Sequence, residues 1–244
     1  MAYINGTGII SPQKTAGTSD FLTEITEHNT EFLKCIEPNY KEFIDPLAAR
    51  RMSRLIKMGI TSALMCIRDA GISEPDAIIT GTGLGSVEDT EKILSSIHDE
   101  NTIFYPTPFI QSTYNTISSQ IAIILKCHNY NSTYVHRIFS FESTLQDALM
   151  QIEEGTAQNI LAGGIDEMTL NHLHIIRRLG DLKQEPESNL RLLEYRTPGT
   201  LAGEGSSYFV LSKNKNDHSY ARLQGVKTIF HPTDKKELEA NITG

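Results

Sequence analysis

Residues 131–164 read NSTYVHRIFSFESTLQDALMQIEEGTAQNILAGG, and their order of elements decides the fold. Tyr134, Val135 and Ile138 favour extended backbone, so 132–138 is read as a strand. Residues 144–154 carry Leu145, Ala148, Leu149 and Ile152 at helical spacing. Gly155 is placed to stop that helix, and 159–162 (NILA) returns to a sheet. A strand, a sharp turn, a helix and a second strand within so few residues describe a crossover unit of an α/β protein.

Working outward, five further segments carry punctuation of the same kind. Residues 1–12 (MAYINGTGIISP) form an apolar strand running into a Gly-x-Gly turn. Residues 50–72 (RRMSRLIKMGITSALMCIRDAGI) read as a helix ending in Asp-Ala-Gly. Residues 77–85 (AIITGTGLG) are a strand with a small-residue turn, and 108–122 (PFIQSTYNTISSQIA) a helix rich in small residues. Residues 201–211 (LAGEGSSYFVL) are a Gly-Glu-Gly turn and the strand after it. Each alone is a common glycine turn. In this order they resemble the β-ketoacyl synthases, the condensing enzymes of fatty-acid and polyketide synthesis, over nearly the whole chain.

The resemblance implies an α/β fold: the N-terminal half of a thiolase-like fold, with a mixed five-stranded sheet and helices packed on its faces. It also implies a nucleophile elbow in 131–164, where the family delivers a reactive cysteine to the start of a buried helix. With Gly163 and Gly164 laid on the family's Gly-Gly, the cysteine position falls on Ile138. Isoleucine can neither accept an acyl group nor carry charge, whereas a thiolate at a helix N-terminus is stabilised there. The elbow residues Ile138, Phe139 and Ser140 are thus the candidate acyl-pocket residues, with no catalytic residue among them. Asn115 and Glu204 match structural turn positions of the family. Ser140 is read as a capping residue and Ser143 as lying in the first helical turn.

The chain also departs from the family elsewhere. The run Glu194-Tyr195-Arg196-Thr197-Pro198-Gly199-Thr200 keeps the family's acid as Glu194, while Thr197, Pro198 and Thr200 stand where an arginine, an aspartate and a phenylalanine are usual. The family's catalytic histidines and lysine lie in a second half, which would begin near 232–242 and is expected to be absent, leaving 1–244 as one domain.

Other chemistries find little support. Gly81, Gly83 and Gly85 do not make a dinucleotide fingerprint, because Ser86 replaces the third glycine. Asp99 and Glu100, near the expected offset of about 20 residues, follow a helical stretch, 93–98, rather than a strand. Cys35, Cys66 and Cys127 form no CxxC pair, which fits a reducing compartment. Cys66 is read as core, and the Cys127–His128 neighbours as a turn. His172 and His174, two apart on a helix, do not share a face, so no metal site is expected, and no cofactor.

The net charge of −8 argues against nucleic acid and against a broad docking face for an acidic acyl carrier protein, although Arg50, Arg51 and Arg54 form a local basic cluster. No apolar run reaches the roughly 18 residues of a membrane span, and residue 1 leads directly into a strand without a basic leader. A cytoplasmic protein without membrane contact is expected. A single half of the fold leaves an apolar face uncovered, so the expected state is a homodimer or a heterodimer with a complete ketosynthase, with acyl carrier protein as a further partner. Two functions follow from the resemblance: a non-catalytic partner subunit, comparable to the chain-length factors of polyketide and aryl-polyene pathways, or the N-terminal part of a longer or split 3-oxoacyl-[acyl-carrier-protein] synthase. A folded relic without a role is the third reading.

Overall fold

The computed structural model describes residues 1–17, 22–30, 32–98, 106–183 and 188–230. Asp99, Glu100 and the 232–242 segment lie outside the described residues. Strands β1 (Ala2–Ile10), β3 (Ala77–Thr82), β4 (Tyr130–Val135), β5 (Asn159–Asp166), β7 (Gly205–Ser212) and β8 (Ala221–Leu223) form one sheet in the order β4-β3-β5-β7-β1-β8. β3 runs parallel to β4 and β5, whereas β7 is antiparallel to β5 and β1. A separate two-stranded ribbon joins β2 (Phe32–Leu33) to β6 (Ala202–Gly203).

The mixed sheet has six strands where five are expected. The sixth is β8, held on the outer edge of β1 by the Tyr220 amide, which donates to the Ile4 carbonyl at 2.9 Å. Beyond Ile4 that edge is closed by side chains. The Asp69 carboxylate accepts from the Thr7 amide at 2.8 Å, and the Thr15 hydroxyl donates to the Ile9 carbonyl at 3.0 Å. At the far side of the sheet, β4 pairs only with β3.

Among the described residues the α-helices are α1 (Pro46–Ala49), α2 (Arg54–Ala70), α3 (Val87–His98), α4 (Pro106–Gln111), α5 (Thr116–Leu125), α6 (Ser140–Glu154) and α7 (Leu170–Arg178). One sheet face packs on α2 and α5 through Ile10, Ile78, Leu161, Tyr208 and Val210. The other packs on α6 through Ile79, Ile160, Ala162 and Leu211, against Ala148 and Ile152. β3 is buried at every position, as a parallel strand covered on both faces must be.

α2 is buried nearly all round because β1 lets it approach closely: a Cβ on Gly8 would lie 1.9 Å from the Ser62 carbonyl oxygen. Removing a large side chain such as Leu55 from this core costs about 2–5 kcal/mol. Beside β1 and the C-terminal half of α2, a groove of about 750 Å³ remains, with Ile4, Ile9, Met65 and Phe209 among its walls. No helix among the described residues is long and apolar enough to cross a membrane.

Several element boundaries differ from the sequence reading. β4 ends at Val135, so Ile138 lies in the turn and not on the strand. α6 begins at Ser140, four residues before the apolar spacing sets in, because the Ser140 amide already donates to the His136 carbonyl at 3.1 Å. Gly155 ends α6 in the left-handed conformation (φ 78°), as its position predicts, and Thr169 caps α7 by accepting from the His172 amide at 3.2 Å.

Candidate functional site

The turn from β4 into α6 is the elbow. Its first requirement is space, which Gly81 supplies: a Cβ there would sit 2.7 Å from the Ser140 carbonyl carbon. The helix start can therefore lie directly on β3.

The second requirement is an acceptor for the amides that a helix start leaves unpaired. The sequence reading assigns that task to Ser140, and the structure corrects it. The N-cap position is Phe139, and no cap bond comes from its side chain. The acceptor is His136, whose Nδ1 receives the Phe139 amide at 2.9 Å and the Ile138 amide at 3.3 Å. The imidazole also stacks on the Phe139 ring, with centroids 5.6 Å apart and planes 14° apart. Phe230, from the segment after β8, meets Phe139 edge-on at 6.0 Å. Ser140 is buried at the first helical position, where its carbonyl accepts from the Thr144 hydroxyl at 3.0 Å. Ser143 lies in the first turn as expected and donates to the Phe139 carbonyl at 2.8 Å.

Ile138 stands 55% exposed beside this cap. In the single chain its side chain faces outward from the turn rather than lying at the base of a closed pocket. Asn115 is likewise exposed, at the N-cap of α5 without a side-chain cap bond, and its carbonyl accepts from the Ser119 amide. One turn on, Ser118 meets Thr133 of β4 at 2.8 Å, so α5 buttresses the strand that leads into the elbow.

Glu204 is elsewhere, in a buried corner between the β2–β6 ribbon and the start of α2. Its carboxylate accepts from Arg54 at 2.8 and 2.5 Å, from the Cys35 amide at 2.9 Å and from the Met168 amide at 3.4 Å. The Arg54 Nε donates to Glu37. Burial works against the Arg54 charge, but its bonds to Glu204 and Glu37 outweigh that and hold the guanidinium above its usual range. Of the basic cluster 50–54, Arg54 is committed to this corner, while Arg50 and Arg51 are exposed at the end of α1.

Two carboxylates at the end of β5 escape the sequence reading. Asp166 accepts from the Thr82 hydroxyl at 2.8 Å and from the Gly83 and Leu84 amides at 3.0 and 2.9 Å, and so fixes the turn after β3. Burial pushes its carboxyl up, and these bonds oppose the shift. Glu167 accepts the Glu88 amide at 3.0 Å, at the start of α3, and burial pushes it up to about 7. Their only signal in sequence is an acidic pair directly after the Gly-Gly strand.

The cysteines are free and buried. Burial pushes the Cys35 thiol up to about 12 and raises those of Cys66 and Cys127. Such thiols are poor nucleophiles. Cys66 is core, as read, and the Cys127 thiol donates to the Pro75 carbonyl at 3.4 Å, not to His128. Glu194 pairs on the surface with Arg191 at 2.7 Å.

The sequence pattern of the family described as Beta-ketoacyl synthase, N-terminal domain, matches residues 11–217. A polyketide synthase, PksN of Bacillus subtilis (strain 168), is 24% identical over 188 residues, which is 75% of this chain and 3% of that protein. Among solved structures, the ishigamide ketosynthase/chain length factor superposes with a TM-score of 0.70 at 21% identity, covering 86% of this chain and 58% of that one. The ketosynthase ApeO in complex with its chain length factor ApeC, from Xenorhabdus doucetiae, gives 0.54 at 18% identity, covering 87% and 79%. The chain thus spans a little over half of the ishigamide protein and a small fraction of PksN, and its mixed sheet with flanking helices is of the ketosynthase fold. With most of its length matched by the family pattern, the chain belongs to the β-ketoacyl synthase family through that family's N-terminal domain.

Proposed function

We propose that this chain is a non-catalytic β-ketoacyl synthase-like subunit of a fatty-acid or polyketide-type pathway, of the aryl-polyene kind among others, acting in the cytoplasm beside a complete synthase. The observation that carries the reading is the elbow itself. Residues 135–143 contain no cysteine, and the position on which the family's cysteine would fall, in the turn just before α6, is Ile138. The chain's three thiols are buried elsewhere and raised by burial. Two structural neighbours are ketosynthases associated with a chain length factor, which supports pairing as the role of a ketosynthase-like chain without a nucleophile.

The open edge of β4 suits such pairing, since its unpaired amides and carbonyls accept a further strand. Ile138, exposed in the single chain, then becomes a wall of an acyl channel completed by the partner. Arg50 and Arg51 supply the only part of the basic cluster left free to meet an acidic acyl carrier protein, and another neighbour is a ketosynthase in complex with that kind of carrier.

Size-exclusion chromatography with light scattering, on the chain alone and mixed with a synthase encoded beside it, tests this reading. A stable mixed complex, with no mass adduct on this chain after incubation with acyl carrier protein, is expected. A chain that ignores the synthase, or that itself takes up an acyl group, defeats the proposal.

A second reading, the N-terminal part of a longer or split 3-oxoacyl-[acyl-carrier-protein] synthase, is favoured by the 58% coverage of the ishigamide protein and by the open groove along β1 and β7. A separately expressed C-terminal half that binds the chain and closes that groove to solvent would support it.

A further inference from the structure

The elbow differs from an acylation site in more than its missing thiol. An amide at the start of a helix stabilises negative charge only if it is free to point at it. Here the two amides nearest the nucleophile position, those of Ile138 and Phe139, both converge on Nδ1 of His136. An imidazole nitrogen accepts only when it carries no proton, so the ring holds its proton on Nε2. The ring is kept in place on its other face by the stack with Phe139, itself backed by Phe230.

We propose that His136 is a second, independent block in the elbow: it occupies the charge-stabilising amides, so that restoring a thiol at position 138 does not by itself restore an activated one. His136 is in this sense a positioning residue, acting on the nucleophile position through the backbone. The inference rests on the non-catalytic reading above and deepens it.

Alkylation by iodoacetamide reads the effect directly. The sulfur of a cysteine at 138 displaces iodide from the methylene carbon, forming a C–S bond as the C–I bond breaks, and the thiol proton passes to the buffer. The rate below the thiol pKa follows the thiolate fraction. The three native thiols, all buried, supply a slow background that the unsubstituted chain measures. Arg137, paired with Asp181 at 3.5 Å, and Glu142 in the first turn of α6 are the charges nearest in sequence, and they are common to every variant compared.

Ile138→Cys alone should react like an ordinary thiol across a pH–rate profile. Adding His136→Ala should lower the apparent thiol pKa by about half a unit to one unit and speed alkylation at neutral pH by about 3- to 10-fold. Replacing His136→Ala by His136→Asn should return the slow rate, because an asparagine oxygen accepts the same amides. A double variant with alanine at 136 that reacts no faster than Ile138→Cys overturns the proposal. One that reacts more slowly overturns it too, since the imidazole would then be serving the thiol as a base.

If the alanine variant fails to fold, nitrogen NMR of the unsubstituted chain decides. An Nε2–H tautomer at His136 is expected, with the Ile138 and Phe139 amide shifts moving together as the ring takes up a proton. An Nδ1–H tautomer refutes the cap. Acylation of the unsubstituted chain by a carrier protein would defeat the non-catalytic reading while leaving this result on position 138 intact.

Discussion

The corner around Glu204 and the elbow around Ile138 are built on one plan and have come to different ends. In both, a side-chain acceptor, buried at the corner and exposed at the elbow, gathers backbone amides from a segment that would otherwise leave them unpaired. At the corner the acceptor is a carboxylate, matched by Arg54, which Glu37 also holds, and it ties α2, the β2–β6 ribbon and the end of β5 together. At the elbow the acceptor is an imidazole nitrogen that serves only its own turn. The comparison separates side chains that the fold leans on from one that it does not: Arg54 and Glu204 tie separate elements together, whereas Ile138 lies exposed in a turn.

Breaking the corner should therefore be the costlier change. Glu204→Ala leaves Arg54 buried with Glu37 alone and strips two amides of their acceptor, so a loss of about 3–5 kcal/mol is expected in urea denaturation. A paired Arg54→Met, Glu204→Leu variant should recover much of that loss, because an unpaired buried charge costs more than the pair contributes. If the single variant is as stable as the native chain, the corner does not hold the fold in the way described.

The neighbouring Glu167 sharpens the comparison through pH. Burial favours its protonated form and pushes it up from the ordinary glutamate value of about 4.5 to about 7. Between those values the folded chain keeps a proton that the unfolded chain has released. The stabilisation from this group is thus full below the ordinary glutamate range and falls as pH rises toward about 7, by on the order of 2–3 kcal/mol. Asp166 is shifted in the same direction and adds to the slope. Glu167→Gln should flatten this part of the stability–pH profile, and an unchanged profile would assign the slope to other groups.

The smallest effect should come from the elbow. Ile138→Ala removes a side chain already 55% exposed, so stability should change by no more than about 0.5 kcal/mol. A loss of several kcal/mol would mean that Ile138 is buried in solution, by a partner or a second copy, and would move it from the turn surface into an interface.

Much of the framework was legible in the sequence because it depends on short-range rules. Gly155 marks a helix end by conformation alone, and the apolar spacing of Leu145, Ala148 and Ile152 gives the buried side of α6 directly. The elbow was less legible. Ser140 has the chemistry of a cap, yet it falls inside the helix, one residue past the N-cap, and the turn amides before it go to His136, whose ring orientation depends on Phe139 and Phe230 as much as on its own neighbours. β8 escaped for a similar reason. A three-residue strand has too little pattern of its own, and what places it is the Tyr220 bond to a carbonyl far away in sequence. Asp166 and Glu167 are acids in a polar stretch until the fold brings the starts of two turns against them.

The closed edge of β1 has a consequence for assembly. Asp69 and Thr15 hold groups on β1 that an incoming strand would need, and β8 covers Ala2–Ile4, so β1 itself offers no long edge. Among the described residues the sheet then ends in two unequal borders, the six residues of β4 and the three of β8. A second sheet finds a long template along β4 and a short one along β8, so strand addition favours a pair joined at β4 over an extended array, whether the second member is another copy of this chain or a different protein.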